Sequence, residues 1–170
     1  MVRNSDKQKQ EKLRKSFEIS NVPVEEGEDL IKIAASVCQA IGVCLKSNDV
    51  KEIFRTPNNL SSKSQFPPSI FVKLNNKRKQ DEVMANRKTK QELTTAVLNI
   101  ATGNARNVNI YINEVLTKRN RYLFKQARDL KRNGKIKFAW FRDGRLLVRK
   151  TEKSKVREIT SIQALNEFTK

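Results

Sequence analysis

From position 117 onward the apolar side chains recur first in one period and then in another. Thr117 offers a hydroxyl that can cap the free N–H groups of a helix start. Leu123, Ala127 and Leu130 follow at the three-to-four spacing of one helical stripe. Asn133-Gly134 ends that stripe, because glycine adopts the left-handed cap conformation at low cost. The period then falls to two. Ile136, Phe138 and Trp140 share one strand face, expected to be the buried one, and Lys135 and Lys137 share the other. Arg142-Asp143-Gly144-Arg145 carries the Asp-Gly pair that type I′ hairpin turns favour, and Leu146 and Val148 resume the alternation. The pattern predicts a helix feeding a two-stranded hairpin.

Upstream, residues 1–16 are polar and charged, with Leu13 the only large apolar residue after Val2. They read as a frayed or helical lead-in, disordered in isolation or the stub of a coiled coil, since one leucine makes no heptad series. Residues 17–22 form a first strand, closed by Asn21-Val22-Pro23. Glu25, Glu26, Glu28 and Asp29 gather where a helix dipole favours negative charge. Leu30, Ile31, Ala34, Val37, Cys38 and Ile41 then recur at helical spacing up to Gly42. Residues 50–56 are a second strand, 57–68 a polar loop expected to be mobile, and 69–74 a third strand with Ile70, Val72 and Leu74 on one face. A second helix over 77–90 carries Val83 and Met84. Leu93, Val97, Leu98 and Ile100 extend it toward a turn at Thr102-Gly103-Asn104, and 108–113 form a fourth strand.

The order β-α-β-β-α-β predicts an α+β fold: a split-βαβ domain like the RNA recognition motif over 17–114, then a small basic helix-plus-hairpin domain over 115–170. Topology alone does not carry function. The motif stacks bases on sheet aromatics. Here the third strand offers Phe71 and the first offers Phe17, and with Phe17 packed inward beside Ile19 the exposed face would lack a stacking pair. Binding would then lean on charge.

Charge sharpens this picture. Between 117 and 157 stand sixteen Lys and Arg against three Asp and Glu, a net +13, while the whole chain of 170 residues carries +18. The other 129 residues therefore contribute only +5. A positive field concentrated on structured, aromatic-bearing elements favours a polyanionic partner through counterion release. With no histidine in the chain, Ser-His and Cys-His nucleophile pairs are excluded, and five scattered glycines form no phosphate-cradling loop. Cys38 and Cys44 lack partners for a zinc site and read as core thiols of a reducing compartment. No apolar run is long enough to span a membrane and no signal sequence is present, so an intracellular protein, cytoplasmic or nuclear, is expected. An enzyme, a metal site and a cofactor are not expected.

The segment NVNIYINEVLTKRNRYLFKQARDLKRNGKIKFAWFRDGRLLVRKTEKSKV resembles the C-terminal half of the baculovirus FP (few polyhedra) protein family. It also resembles the related first-open-reading-frame proteins of insect LINE-type retrotransposons. FEISNVPVEEGEDL, EIFRTP and IFVKLNNKRKQDEVMANRK fit as well, placing Arg55, Lys73 and Arg87 on matching positions. The resemblance implies a domain like the RNA recognition motif followed by a small domain that clamps nucleic acid. Retrotransposon members trimerise through an upstream coiled coil and act as RNA-packaging chaperones. Residues 1–16 are too short and polar for that coil, so a homo-oligomer is expected only if a coiled coil lies upstream.

The function expected is single-stranded nucleic-acid binding, with RNA favoured over DNA and little base preference, in packaging or as a chaperone. Arg119, Arg121, Arg128, Lys131 and Arg132 would present the charge from the helix, and Lys135, Lys137, Arg145 and Arg149 from the hairpin. Arg55, Lys73 and Arg87 would form a facing wall. Phe71, Tyr122 or Trp140 could stack bases, although alternation with Ile136 and Phe138 favours a core position for Trp140, and Tyr111 is open between the two. The competing reading is a structural protein of a viral assembly whose basic face meets an acidic partner.

Overall fold

The computed structural model describes residues 2–57, 66–88, 92–98 and 107–170, with the side chains of 2–4 excepted. The elements in chain order are helix α1 (Val2–Lys12), strand β1 (Ser16–Ser20), helix α2 (Leu30–Ala40), strands β2 (Val50–Arg55) and β3 (Ile70–Leu74), helix α3 (Lys77–Asn86), strand β4 (Tyr111–Glu114), helix α4 (Lys118–Arg132), strands β5 (Phe138–Arg142), β6 (Arg145–Arg149) and β7 (Arg157–Ile159), and helix α5 (Ile162–Thr169). The fold is α+β. Two compact units form, one of Lys15–Val115 and one of Leu116–Lys170 together with the N-terminal helix.

In the first unit the four strands are antiparallel and lie in the order β2-β3-β1-β4. Alternation decides the faces. Phe17, Ile19, Ile70, Val72, Leu74 and Ile112 point to one side, where Ala34, Val37 and Cys38 of α2 and Val83 of α3 close over them. Asp29 caps α2 by accepting the N–H groups of Ile31 and Lys32, both at 3.1 Å, so one of the four acids ahead of the helix satisfies its end directly. Cys38 lies fully inside this core, and burial pushes its thiol pKa up to about 12, which keeps it inert. Cys44 departs from the expectation of a core thiol: it is exposed, because the chain has left α2 by then. The extension expected beyond α3 is instead a short 3-10 turn over Thr95–Leu98. An isolated bridge pairs Thr94 with Asn109, so the expected strand start at 108 shrinks to that bridge and to β4. The polar loop over 58–65, the end of the helix at 89–90 and the turn at Thr102-Gly103-Asn104 lie outside the described residues.

In the second unit, Thr117 accepts the N–H of Asn120 at 3.3 Å and starts α4. The helix ends in a Schellman pattern. The N–H of Lys135 reaches the carbonyl of Leu130 at 3.0 Å and that of Gly134 reaches Lys131 at 3.1 Å, with Gly134 at φ +72°. β5, β6 and β7 then form an antiparallel three-stranded sheet in that order. The Asp-Gly turn takes φ +51° at Asp143 and +72° at Gly144, both positive as a type I′ turn requires. Leu123 and Ala127 of α4 and Leu165 of α5 bury Phe141, Leu146, Val148 and Ile159 on one sheet face.

Two expectations change here. The facing of β5 is reversed: Phe141 is buried and Ala139 packs on the core, whereas Phe138 and Trp140 are half-buried and lie on the opposite face. Ile136 is buried, as expected, but it precedes the strand. A bend at Lys137 breaks the alternation, so the phase counted from Ile136 does not carry into β5. The lead-in takes the helical form of the two expected, as α1, but it does not stand apart: it joins the second unit through a polar contact. Gln10 is buried, and its Oε1 accepts the N–H of Thr117 and the side-chain amide of Asn120, both at 3.0 Å. Asp6 accepts the Thr117 hydroxyl at 3.2 Å. An apolar-stripe reading misses such an anchor, because a glutamine satisfies the free N–H of a helix start without adding hydrophobic periodicity.

Candidate functional site

α4 carries seven Lys and Arg in fifteen residues and a single acid, Asp129. Leu123 and Ala127 turn one stripe to the core, so the cations are forced to the remaining surface. Arg121, Lys125, Arg128, Lys131 and Arg132 are all exposed. The last turns of α4 and Ala139 of β5 border an open groove of about 590 Å³ lined by Lys125, Arg128, Asp129, Lys131 and Arg132. Arg132 pairs with Asp129 along the helix, a contact that surface solvation keeps weak. Arg128 rests its guanidinium 5.2 Å from the centre of the Phe124 ring, which in turn packs edge-on against Phe141 at 5.3 Å. Stacking on a ring fixed by the core holds this cation in place.

The other basic residues of the unit divide by how much of their charge is already spent. Arg119 donates to the Thr160 carbonyl at 3.1 Å and ties α4 to the chain before α5. Lys135 is exposed just past the helix cap. Lys137 pairs with Glu152 at 2.7 Å and lies 6.0 Å from the Phe138 ring centre. Arg145 stands 3.7 Å from Glu158 with both side chains about half exposed. Arg149 is half-buried, lies 5.8 Å over Phe138, and donates to the carbonyls of Ser154 and Glu152, so it braces the loop after β6. Arg142, which sequence reasoning passed over as a turn residue, is exposed and pairs with Arg145 across the hairpin. Lys125 was likewise missed, although its position between Arg121 and Arg128 puts it on the same helical surface.

The first unit gives a different answer for its three expected cations. Arg55 lies on the core side of β2, and its five N–H groups are all engaged. Nε donates to Glu28 Oε1 at 2.9 Å, and Nη1 donates to the carbonyls of Val22 and Pro68 at 2.8 Å each. Nη2 donates to the Pro23 carbonyl at 2.8 Å and to Glu28 Oε2 at 2.7 Å. No donor is left for a phosphate, and both side chains of the pair are only 14% exposed. Hydrogen bonding from this guanidinium holds the Glu28 carboxyl below its usual pKa. Glu28, read from the sequence as a helix-start acid, is therefore the partner of a structural clamp.

Lys73 points the opposite way, to the sheet face away from α2 and α3, across from Ser16 and Glu52. Arg87 caps the C-terminus of α3 and is half-buried. Lost hydration pulls its pKa below the ordinary arginine value, with the Glu114 carboxylate opposing. The expected common wall of Arg55, Lys73 and Arg87 is thus corrected, since alternation along β2 and β3 sends Arg55 and Lys73 to opposite faces.

That outer face does hold a stacking pair, contrary to expectation. Phe54 of β2 and Phe71 of β3 are directly opposed in register and stack with centroids 4.7 Å apart and planes at 27°. Phe54 is 38% exposed, and Tyr111 of β4, on the same face, is 52% exposed. Phe17 is buried, as expected, so the pair forms between strands where single-strand reasoning could not see it. Tyr122 of α4 is 58% exposed, on the helix's solvent side. Among the described residues no group of three or more His, Cys, Asp and Glu is placed to hold a metal ion, and no helix is long and apolar enough to cross a membrane.

Residues 117–169 match the family model described as Baculovirus FP protein domain 2. The matched span covers α4, the three-stranded sheet and α5, which hold the basic surface. No curated protein matches the chain.

Proposed function

Taking residues 117–169 as a member of this second domain of the baculovirus FP family, we propose that the protein binds single-stranded nucleic acid, RNA in preference to DNA, with little base specificity. The observation that carries the reading is the exposed cation set of α4 around its groove, within a segment of net +13. Side chains projecting from a helix fixed at both ends by Thr117 and Gly134 lose little further freedom on meeting a phosphate chain. Spaced cations recognise the backbone, which every sequence shares, and so give affinity without base reading.

The first unit is proposed as an RNA recognition motif-like domain. The strand order β2-β3-β1-β4, with both helices on one face, supports this, as do Phe54 and Phe71 on the other face. Stacking on those rings is indifferent to base identity, since every base has a π-face. Packaging or chaperoning of RNA follows from binding that is strong, general and reversible by salt. The test is filter binding of single-stranded RNA, single-stranded DNA and duplex at several salt concentrations. The reading expects single strands to be retained over duplex and retention to fall steeply with salt. Equal, salt-insensitive retention of all three would overturn it.

One observation favours a second reading, a structural role in a viral assembly with an acidic protein partner: the matched family is viral. A gel shift run with an acidic competitor protein separates the two, since displacement of bound RNA at equimolar competitor would favour the second.

A further inference from the structure

The sheet of the second unit has two faces, and only one is used by the core. Phe141, Leu146, Val148 and Ile159 point toward α4 and α5. Alternation leaves Phe138 and Trp140 on the other side, where Arg149 stands opposite Phe138, Leu147 opposite Trp140, and Arg145 opposite Arg142. Phe138, Trp140 and Leu147 are half-buried and are not part of the buried cluster that holds the unit together. Two rings on successive outward positions of one strand, flanked by guanidinium groups, make an apolar strip with a cationic border. The acids near it, Glu152 and Glu158, are each paired with a cation, Lys137 and Arg145. Lys137 and Arg149 sit over the Phe138 ring, 6.0 Å and 5.8 Å from its centre, so Phe138 anchors cations beside the strip and Trp140 is the ring offered to a base.

An apolar protein partner would desolvate this net-positive border without offering it a counter-charge, which is costly. A nucleic-acid strand satisfies both parts at once, with a base on the indole of Trp140 and its phosphates on the border. Ala139, between the two rings, borders the basic groove of α4. β5 therefore presents bases a platform on one side while α4 offers cations on the other.

We propose that the face of the three-stranded sheet opposite α4 and α5 is a base-stacking surface for single-stranded nucleic acid, with Trp140 as its platform, the cation-bearing Phe138 beside it, and the exposed Arg142 as its phosphate contact. This rests on the proposed nucleic-acid function and places a second stacking site in the chain besides Phe54 and Phe71.

The test uses the whole chain and its single tryptophan. Trp140 fluorescence is followed while a labelled oligouridylate is titrated in, with anisotropy of the label read in parallel. Stacking quenches the indole along the same isotherm as the anisotropy. Inorganic polyphosphate, which offers charge without bases, binds with no quench. Trp140→Leu lowers oligouridylate affinity by roughly tenfold, the scale of one stacked base, while leaving the polyphosphate affinity and the salt slope unchanged. If Trp140→Leu melts far below wild type, the wild-type quench against polyphosphate still decides. Binding by anisotropy with no oligouridylate quench, or an equal quench from polyphosphate, overturns the stacking surface and leaves the proposed function standing. Absence of any anisotropy change removes that function and the stacking surface with it.

Discussion

Replacing Arg55 with alanine tests whether a cation that the family resemblance assigns to nucleic acid is instead structural. The change leaves the Glu28 carboxylate without its cation and the carbonyls of Val22, Pro23 and Pro68 without donors, all from one side chain only 14% exposed. Removing one partner of a buried ion pair costs about 3–5 kcal/mol. Each orphaned acceptor adds on the order of 1 kcal/mol unless water reaches it. Because the pair is not fully sealed, water recovers part of this, and a net loss of about 3 kcal/mol is the result to expect. For a unit of this size, at roughly 4–8 °C per kcal/mol, melting should fall by more than about 10 °C. Arg55→Lys should recover little, since one ammonium cannot reach the acceptors that a planar fork meets together. The assay is thermal melting by circular dichroism beside oligonucleotide anisotropy at a temperature where both proteins are folded. Melting within about 2 °C of wild type, joined to a clear loss of affinity, would show that the guanidinium serves a ligand and that the clamp is wrongly read.

Acid should weaken the same clamp. The folded Glu28 carboxyl has a lowered pKa, so its contribution is complete above the ordinary value of 4.5 and is lost as pH falls through the folded one. Urea midpoints between pH 6 and about 3 should therefore drop more steeply for wild type than for Glu28→Gln, and parallel curves would contradict the linkage. Phe141→Ala should cost about 3–5 kcal/mol as a core truncation, and Trp140→Leu about 1 kcal/mol or less, read as denaturation midpoints. The reverse ranking would restore Trp140 to the core. Gly144→Ala should lose about 1–2 kcal/mol in the same measurement, since φ is +72° there and an added Cβ would stand 2.7 Å from Gln10 Cγ. A Gln10→Ala background should relieve part of that loss and leave the backbone strain.

Local chemistry made much of this fold legible. The Thr117 cap, the Asn133-Gly134 stop and the Asp-Gly turn each depend on residues within a few positions, and each sits where its spacing put it. The strand faces followed from the spacing of large apolar residues, Phe17 and Ile19 in β1 and the clean alternation of Ile70, Val72 and Leu74 in β3. What escaped notice depends on partners far along the chain or on broken periods. The bend at Lys137 shifts the phase between Ile136 and Phe141, so the count that buried Trp140 was one step out. The Phe54–Phe71 stack needs the β2–β3 register, which neither strand's composition reveals. Arg55 reads as a free cation until the carbonyls of residues 22, 23 and 68 are brought round it. The basic surface of α4 was the most visible part of the site, because a narrow apolar stripe leaves its charges one direction to point.

The claim at the centre of this account is that the exposed cations of α4 hold a phosphate backbone. Lys125→Ala with Lys131→Ala measures it most directly, since both line the groove and neither side chain contributes to the buried core. With about five phosphates engaged, the logarithm of the wild-type binding constant for single-stranded RNA should fall against the logarithm of salt with a slope near −3.5. In the double variant the slope should ease by about 1.4, at roughly 0.7 per lost phosphate contact, and by the same amount for every oligonucleotide sequence tried. An unchanged slope and affinity in a variant that melts like wild type would contradict the account and place the phosphate contacts away from this helix.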